Sequence, residues 1–323
     1  MRTFSRAALA AICFVYSGFA HAADELKYPT RAIRIVVGFT AGGGNDIIAR
    51  VVGQKLSESL GQPVIIENKP GAGAVLATEY VARSAPDGYT LLVGASGAMT
   101  INPAVYEKLS YDTMRDFVPV SELAAFPLIL IVNASSPFKS LADLVAYAKA
   151  NPDKANYSSS SAAFQLATEL FKQKTGVPMQ MIPYKGANDS VTAVISGEVT
   201  ATIADAGPVT SQVNGGLARA LAVAAPKRMD SLPDVPTMKE AGADVEAVLW
   251  SGIFVPAATP PEIVRKLEAE FVRIARLPDV ISRLKLLNIE SVGNSSEEFS
   301  RIIAADLERW RAVARAGNIK IAQ

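Results

Sequence analysis

Short runs of β-branched and apolar residues alternate along the chain with segments in which apolar residues recur at helical spacing. Apolar positions between Ile47 and Leu60 repeat every three or four residues, and Gly61 is the expected C-cap of that helix. The expected strands are residues 31–37, 64–66, 91–93 and 128–132, the last of them apolar enough to be buried on both faces. Strands that alternate with helices in this way predict an α/β fold with mainly parallel sheets.

Three further helices are predicted from polar residues that cap helix N-termini. Each has a hydroxyl residue followed three positions later by a carboxylate, a pattern that satisfies free N–H groups in the first turn. The three pairs are Ser140 with Asp143, Thr259 with Glu262, and Ser295 with Glu298. We expect the last helix to run to about Ala316, with Gly317 ending it.

The chain length of 323 residues predicts two domains. No long flexible linker separates them, so we expect continuous backbone to cross between the domains near residues 125–132 and 248–255. Residues 23–124 and 252–323 would form a discontinuous first domain, and residues 125–251 the second domain together with the crossings. The predicted architecture is two lobes with a ligand cleft between them.

The N-terminus has the layout of a secretory signal peptide. Arg2 and Arg6 precede an apolar stretch at residues 7–19, and small residues then lead to a predicted cleavage site near Ala22. The alternative, a retained membrane anchor, is disfavoured because the apolar stretch is too short to span a bilayer comfortably. We therefore expect residues 1–22 to be removed and the protein to be exported to the periplasm.

Loss of residues 1–22 would change the chemistry that the chain offers. It removes Cys13 and His21, the sole cysteine and histidine, which excludes disulfides, thiolate and imidazole catalysis, and ordinary N/S zinc sites. It leaves 30 basic and 31 acidic residues, a balance that argues against nucleic acid as a partner. We expect no catalytic residue, metal or cofactor.

A glycine-rich loop between the first strand and the first helix is the main candidate site. Glycine lets backbone N–H groups approach a ligand, and the partial positive charge of the helix N-terminus favours an anion there. Asn45 offers a side-chain amide, whereas Asp46 either caps the helix or receives a ligand amine. The alternatives are a turn that only permits tight packing, or a nucleotide site, although the spacing matches neither common nucleotide motif. The candidate residues are Phe39, Thr40, Ala41, Gly42, Gly43, Gly44, Asn45 and Asp46.

Other loops after predicted strands supply the remaining candidates, since the carboxyl ends of parallel strands gather at one sheet edge. Residues 70–74 form a second glycine-rich loop, either a further wall of the cleft or an ordinary turn. The serine run at residues 158–161 either binds an anion or is an ordinary polar loop. Asp205 either binds an ammonium or hydroxyl group of a ligand or caps the segment that follows it. The candidates from these loops are Ala95, Ser96, Ser159, Ser160, Ser161 and Asp205.

Two more features allow alternative interpretations. Lys185 beside Gly186 is either a Schiff-base lysine or, as is commoner, a solvated surface residue. Trp250, Phe39 and Tyr184 either form an apolar lid over a ligand or belong to the core.

The order of several short motifs resembles the substrate-binding proteins of tripartite tricarboxylate transporters, known as the Bug family. The resemblance covers nearly the whole chain after residue 27, and the number of motifs makes it specific. The matching segments are residues 28–46, 61–64, 67–73, 85–92, 101–103, 115–117, 183–186, 232–237 and 240–242.

This resemblance implies a type II periplasmic-binding-protein fold that closes on a small ligand such as a di- or tricarboxylate, an acidic amino acid or an aromatic acid. It also implies that residues 39–46, Ala95 and Ser96 form one wall of the cleft, and that Ser159, Ser160, Ser161 and Asp205 form the other. We expect a monomer that delivers its ligand to the membrane subunits of a transporter. The alternatives are a secreted lyase or hydrolase using Asp46 or Asp205 with Lys185, and a partner of a sensor kinase.

Overall fold

The computed structural model describes residues 27–321 and divides them between two α/β lobes. The predicted signal peptide, with its cleavage site near Ala22, lies outside the described residues. The strands are β1 (Ile33–Val37), β2 (Val64–Asn68), β3 (Thr90–Ala95), β4 (Phe117–Phe126), β5 (Leu128–Asn133), β6 (Asn156–Ser159), β7 (Gln180–Pro183), β8 (Ala201–Asp205), β9 (Ala218–Val223), β10 (Leu249–Pro256) and β11 (Glu290–Ser291). The helices are α1 (Gly44–Leu60), α2 (Val75–Ala82), α3 (Asn102–Val105), α4 (Thr113–Asp116), α5 (Leu141–Ala150), α6 (Ala162–Thr175), α7 (Ala187–Ile195), α8 (Ala206–Asn214), α9 (Pro261–Ala275), α10 (Pro278–Lys285) and α11 (Ser296–Ala316).

Each lobe is built on one sheet. The first sheet has the order β11-β4-β10-β3-β1-β2, and the second has the order β7-β6-β8-β5-β9. The predicted α/β class and two-lobe architecture are therefore present. The pairing is mixed, however: β1, β2 and β3 run parallel, whereas β10 pairs antiparallel with both β3 and β4. Every antiparallel pair includes a strand next to a lobe crossing, namely β4, β5, β9 or β10. A chain that leaves one sheet and later returns to it need not keep the strand direction that βαβ units set.

The chain crosses between the lobes twice. β4 leads to β5 through Pro127 alone, and the chain returns between β9 and β10. The first passage falls within residues 125–132 and the second ends next to residues 248–255, and the residue limits of the two domains stay a prediction. A third element also joins the lobes: α11 packs against β4 of the first lobe and against α6 of the second. Gln173 of α6 donates a 3.1 Å hydrogen bond to the carbonyl oxygen of Val313 in α11.

Apolar residues fill both faces of each sheet. In the first lobe α1 and α9 cover one face of the sheet, and α2 and α11 cover the other. Gly252 of β10 permits the close approach of α11, because a Cβ atom there would lie 2.4 Å from the ring of Phe299. Of the helices between residues 27 and 321, none combines the length and apolar character needed to span a bilayer.

Most of the predicted helix boundaries hold. Ser140 and Asp143 form a reciprocal capping box at α5, Ser295 caps α11, and Gly61 ends α1 in the left-handed conformation. Thr259 does not cap α9, because its hydroxyl donates to the carbonyl oxygen of Pro256 and Pro260 occupies the N-cap position. α1 also begins three residues earlier than the apolar spacing indicates, inside the glycine loop.

Candidate functional site

A cleft of about 690 Å³ opens between the two lobes. None of the lysine or arginine side chains between residues 27 and 321 lines it, and Asp205 is the one lining residue that carries a formal charge. Most of the large lining side chains are apolar, which is typical of a small-molecule site with a few polar groups that orient the ligand. These apolar residues are Phe39, Ile47, Ile101, Phe126, Phe164, Leu249, Trp250, Leu287, Ile289 and Ile321.

Three helices of nine or more residues begin at this cleft. α1 begins at Gly44 on the first lobe, whereas α6 begins at Ala162 and α8 at Ala206 on the second lobe. The first N–H groups of a helix have no intrahelical acceptor, and each N-terminus carries about half of a positive charge. The cleft therefore presents positive potential from both walls without a cationic side chain, an arrangement suited to an anion.

The glycine loop owes its shape to the carboxylate of Asp46. This buried group accepts hydrogen bonds from the Gly42 backbone N–H (2.8 Å), Arg50 Nε (2.9 Å) and Asn68 Nδ2 (2.9 Å). The hydrogen bond from Arg50 is the largest influence that holds the pKa of Asp46 down, to about 2. Both carboxylate oxygens thus bind protein donors, and Asp46 ties the loop to α1 and β2 and does not line the cleft.

Asn45 is the side chain of this loop best placed to meet a ligand. Its Oδ1 atom accepts a hydrogen bond from the Ser251 hydroxyl of β10, which fixes the amide orientation. The Nδ2 atom of Asn45 has no acceptor among residues 27–321 and remains a donor at the cleft. Next to Asn45, a side chain at Gly44 would crowd Phe126, whose ring lies 3.1 Å from the position of a Cβ atom there.

Trp250 forms a rigid part of the first-lobe wall. Its indole Nε1 donates to Asp306 of α11 at 2.8 Å, and its ring packs edge-on against Phe299 with centroids 5.0 Å apart. Its backbone N–H also donates to the hydroxyl of buried Ser96, at 3.3 Å. Trp250 is 3% exposed, so it is a core residue that also forms part of the cleft wall.

The second-lobe wall contains an acid without a partner. Asp205 occupies the N-cap position of α8, yet its side chain makes no capping hydrogen bond and has no ion-pair partner among residues 27–321. Burial raises the pKa of this carboxyl to about 6. The capping interpretation of Asp205 therefore fails, and the carboxyl stays available to a group inside the cleft.

The structure brings together only part of the predicted site. Ser159 donates to the carbonyl oxygen of Ser161 at 3.0 Å and is buried behind the wall. Tyr184 and Lys185 do not line the cleft, so Tyr184 forms no lid and Lys185 does not meet Asp205. The predicted residues that line the cleft are Phe39, Gly42, Gly44, Asn45, Ala95, Ser96, Ser161 and Asp205; those that do not are Thr40, Ala41, Gly43, Asp46, Ser159 and Ser160.

Sequence reasoning missed the apolar part of the lining. Gly73, from the second glycine loop, was anticipated as a wall, and the start of α6 follows directly from the serine run. The other lining residues come from elements that lie far apart in the chain, and no local motif marks them. Those not predicted as site residues, most of them apolar, include Ile47, Gly97, Ile101, Asn102, Tyr106, Phe126, Phe164, Leu249, Ser251, Leu287, Asn288, Ile289 and Ile321.

Contacts between the lobes lie beside the cleft. Lys285 of α10 pairs with Asp230 at 2.8 Å, and Lys227 pairs with Glu290 of β11 at 2.9 Å. In each pair one residue belongs to the first lobe and the other to the segment after β9, which packs on the second lobe. A Cβ atom on Gly207 would lie 3.5 Å from the carbonyl oxygen of Leu287, so the lobes also approach each other at the start of α8.

Comparison with known proteins gives a consistent result. The family model described as the tripartite tricarboxylate transporter family receptor, TctC, matches residues 48–319. Protein BugT of Bordetella pertussis is 33% identical over 318 residues, which cover 97% of this chain and 98% of BugT.

Solved structures are similar over comparable lengths. Rpa4515 of R. palustris, solved with adipate, has a TM-score of 0.79 and 35% identity over 92% of this chain and all of that one. MatC of Rhodopseudomonas palustris, solved with bound malate, has a TM-score of 0.74 and 31% identity over 88% of this chain and 99% of that one.

Proposed function

The chain belongs to the tripartite tricarboxylate transporter family of receptors, and from this premise we propose that it captures a small carboxylate in the interlobe cleft and delivers it to the membrane subunits of such a transporter. The resemblance to the Bug family drawn from the sequence is confirmed. The expected periplasmic-binding-protein fold is confirmed by the likeness to solved proteins of that kind. The chain is a solute-binding receptor and not an enzyme.

The observation that carries the carboxylate assignment is the meeting of helix N-termini at a cleft without cationic side chains. Carboxylate oxygens accept hydrogen bonds, and the cleft offers donors from the starts of α1, α6 and α8 and from the Asn45 amide. A fixed set of donors inside an apolar cleft favours an anion because little water remains to compete. Two relatives solved with adipate and malate support the same ligand class.

Ligand capture proceeds through closure of the lobes. The ligand contacts both walls only when they are close, so its higher affinity for the closed form shifts the population toward closure. The crossings at Pro127 and before β10 serve as the hinge, and the paired residues beside the cleft stabilise the closed form. The proposed domain boundaries, at residues 124/125 and 251/252, assign the hinge crossings to the second domain together with the last two residues of β4 and the first three of β10.

Export precedes binding. The protein is directed to the periplasm by residues 1–22, which are removed near Ala22, and it acts there as a monomer. Family members are periplasmic receptors, which supports this placement. Mass spectrometry of the protein from a periplasmic extract tests it, with a mature N-terminus at Ala23 as the expected result; a chain that keeps residues 1–22 would contradict it.

Transport is favoured over presentation of the ligand to a sensor kinase because the family is defined by its transporters. Pull-down of membrane fractions, with and without ligand, distinguishes the two partners. The expected result is ligand-dependent capture of the transporter's membrane subunits. Capture of a sensor kinase alone would replace the transport assignment.

Isothermal titration against mono-, di- and tricarboxylates, acidic amino acids and aromatic acids tests the binding function itself. We expect at least one class of acid to bind with a dissociation constant in the micromolar range or below. A micromolar constant corresponds to a binding free energy on the order of −8 kcal/mol. Native mass spectrometry of freshly purified protein gives an independent reading, because a retained ligand reveals its mass. Folded, ligand-free protein that binds nothing across the panel would overturn the proposal.

A further inference from the structure

The cleft contains one group that a simple carboxylate would leave unsatisfied. Asp205 lines the second-lobe wall, and no hydrogen bond or ion pair to its side chain forms within residues 27–321. Elsewhere in the same protein an aspartate at the N-cap position does cap its helix: Asp112 accepts from the backbone N–H groups of Met114 and Arg115. The different behaviour of Asp205 leaves its carboxyl free to contact a ligand.

An ionised carboxylate only accepts hydrogen bonds, and it repels a second anion nearby. A ligand group that meets Asp205 must therefore donate. The aromatic rings of Phe126, Phe164 and Trp250 line the same cleft, so an apolar middle part of the ligand can pack against them.

We infer that the ligand is an apolar carboxylate with an ammonium or hydroxyl group remote from its carboxylate, and that Asp205 recognises this second group. The inference rests on the proposed function, since it takes the start of α1 and the Asn45 amide as the site that binds the ligand carboxylate. The two ends of the ligand then contact opposite walls, because Asn45 lies on the first lobe and Asp205 on the second. A donor at the far end thereby links ligand identity to lobe closure.

Burial supports this role, because it raises the pKa of Asp205 to about 6 with no charged neighbour contributing. The other titratable side chain lining the cleft is Tyr106. A desolvated carboxylate gains more from a charged or hydroxyl donor than an exposed one does. At pH 7.5, above this pKa, the Asp205 carboxylate is ionised and can accept a hydrogen bond from the ligand.

The test compares four acids of equal chain length by isothermal titration at pH 7.5: hexanoate, 6-hydroxyhexanoate, 6-aminohexanoate and adipate. We expect an acid with a terminal donor to bind at least about tenfold more tightly than hexanoate and adipate. Adipate is a stringent comparison because a relative was solved with it. A matched aromatic series (benzoate, 4-hydroxybenzoate, 4-(aminomethyl)benzoate and terephthalate) repeats the comparison with a rigid ligand.

Asp205→Asn removes the negative charge and Asp205→Ala removes the acceptor. The Asn variant should lose most of the preference for the ammonium acid, and the Ala variant the preference for both donors, while hexanoate affinity changes by less than about threefold. Asp153→Asn, at an exposed turn of the second lobe, is the control and should bind like the wild type. Circular dichroism and thermal unfolding establish that each variant is folded.

Two outcomes would overturn the inference while leaving the proposed function intact. One is equal or tighter binding of adipate or hexanoate, with affinity that rises as pH falls from 8 to 5 because Asp205 becomes protonated. The other is a donor preference that persists in folded Asp205→Ala. Binding of no acid in either series by folded wild-type protein would count instead against the proposed function, and the inference would fall with it.

Discussion

The indole Nε1 of Trp250 donates a 2.8 Å hydrogen bond to the buried carboxylate of Asp306. This contact joins a wall of the cleft to α11, the helix that packs against both lobes. Asp306 also accepts from Arg309 at 2.7 Å, and Arg309 in turn donates to the carbonyl oxygen of Glu246 just before β10. The cleft wall, the C-terminal helix and the returning chain thus share one polar network.

Trp250→Phe keeps the ring against Phe299 but removes the N–H group. We expect the free energy of unfolding to fall by about 1–3 kcal/mol, because the buried carboxylate of Asp306 loses a hydrogen-bond donor. We also expect ligand affinity to fall, because the cleft wall becomes less rigid. Urea unfolding and isothermal titration measure both effects. Asp306→Asn, which retains an acceptor for Trp250, is the companion variant with the smaller expected effect on affinity. A Trp250→Phe protein as stable as the wild type would contradict this role.

Glu122 in β4 makes stability depend on pH. Burial raises its pKa from 4.5 to about 7, despite a 2.9 Å hydrogen bond from Asn294 Nδ2. The unfolded chain releases the proton first, so this group stabilises the fold fully below pH 4.5, and the contribution is lost as pH rises to about 7. Glu122→Gln, which cannot ionise, should therefore be more stable than the wild type at pH 8 by on the order of 2 kcal/mol, and similar at pH 4.

Urea unfolding at pH 4, 6 and 8 measures the Glu122 effect. Glu262→Gln, at the exposed start of α9, is the control, because it removes a surface carboxylate that water already solvates. Parallel pH profiles for the wild type and Glu122→Gln would mean that folding does not raise the pKa of Glu122.

Asp46 should matter for stability and for binding. Asp46→Ala leaves Gly42 N–H, Arg50 and Asn68 without their common acceptor, so we expect about 2 kcal/mol less stability and roughly tenfold weaker ligand binding. The pKa of Asp46 lies near 2, below its usual 3.8. Its stabilisation is therefore present above pH 3.8 and lost as pH falls towards 2. Asp87→Asn, in an exposed pair with Arg31, is the control, and equal losses in both variants would argue against a specific role for the loop.

The ion pairs between the lobes should bias closure. A Lys227→Ala/Lys285→Ala double variant loses both pairs, and we expect a larger radius of gyration in solution scattering and affinity about two- to fivefold weaker, since exposed pairs are individually weak. Lys55→Ala, which breaks a 2.7 Å pair between Lys55 and Asp279 inside the first lobe, is the control. Identical scattering of the double variant and the wild type would mean that these pairs do not hold the lobes together.

Local signals in the sequence were enough to predict the α/β class and several helix ends. Apolar spacing and capping residues act over a few positions, so Ser140, Ser295 and Gly61 could be assigned from their neighbours. Strand direction depends on how the chain returns to each sheet, which explains why the antiparallel pairing of β10 was not foreseen.

The site was only partly predictable for the same reason. The glycine loop and Asp205 stand at strand ends next to helix starts, positions that the sequence marks. Asp46 carries the same marks, but its partners Arg50 and Asn68 are known only from the fold. The apolar lining comes from residues as distant in sequence as Phe126 and Ile289, which both lie near Gly44.

The packing of α11 gives the protein a built-in optical reporter. The chain has two tryptophans: Trp250 lies in the cleft wall, and Trp310 lies on α11 in the apolar core shared with the second lobe. Their indoles sit where occupancy and lobe movement change the surroundings of a fluorophore. Intrinsic emission can therefore follow ligand arrival in real time without any attached dye.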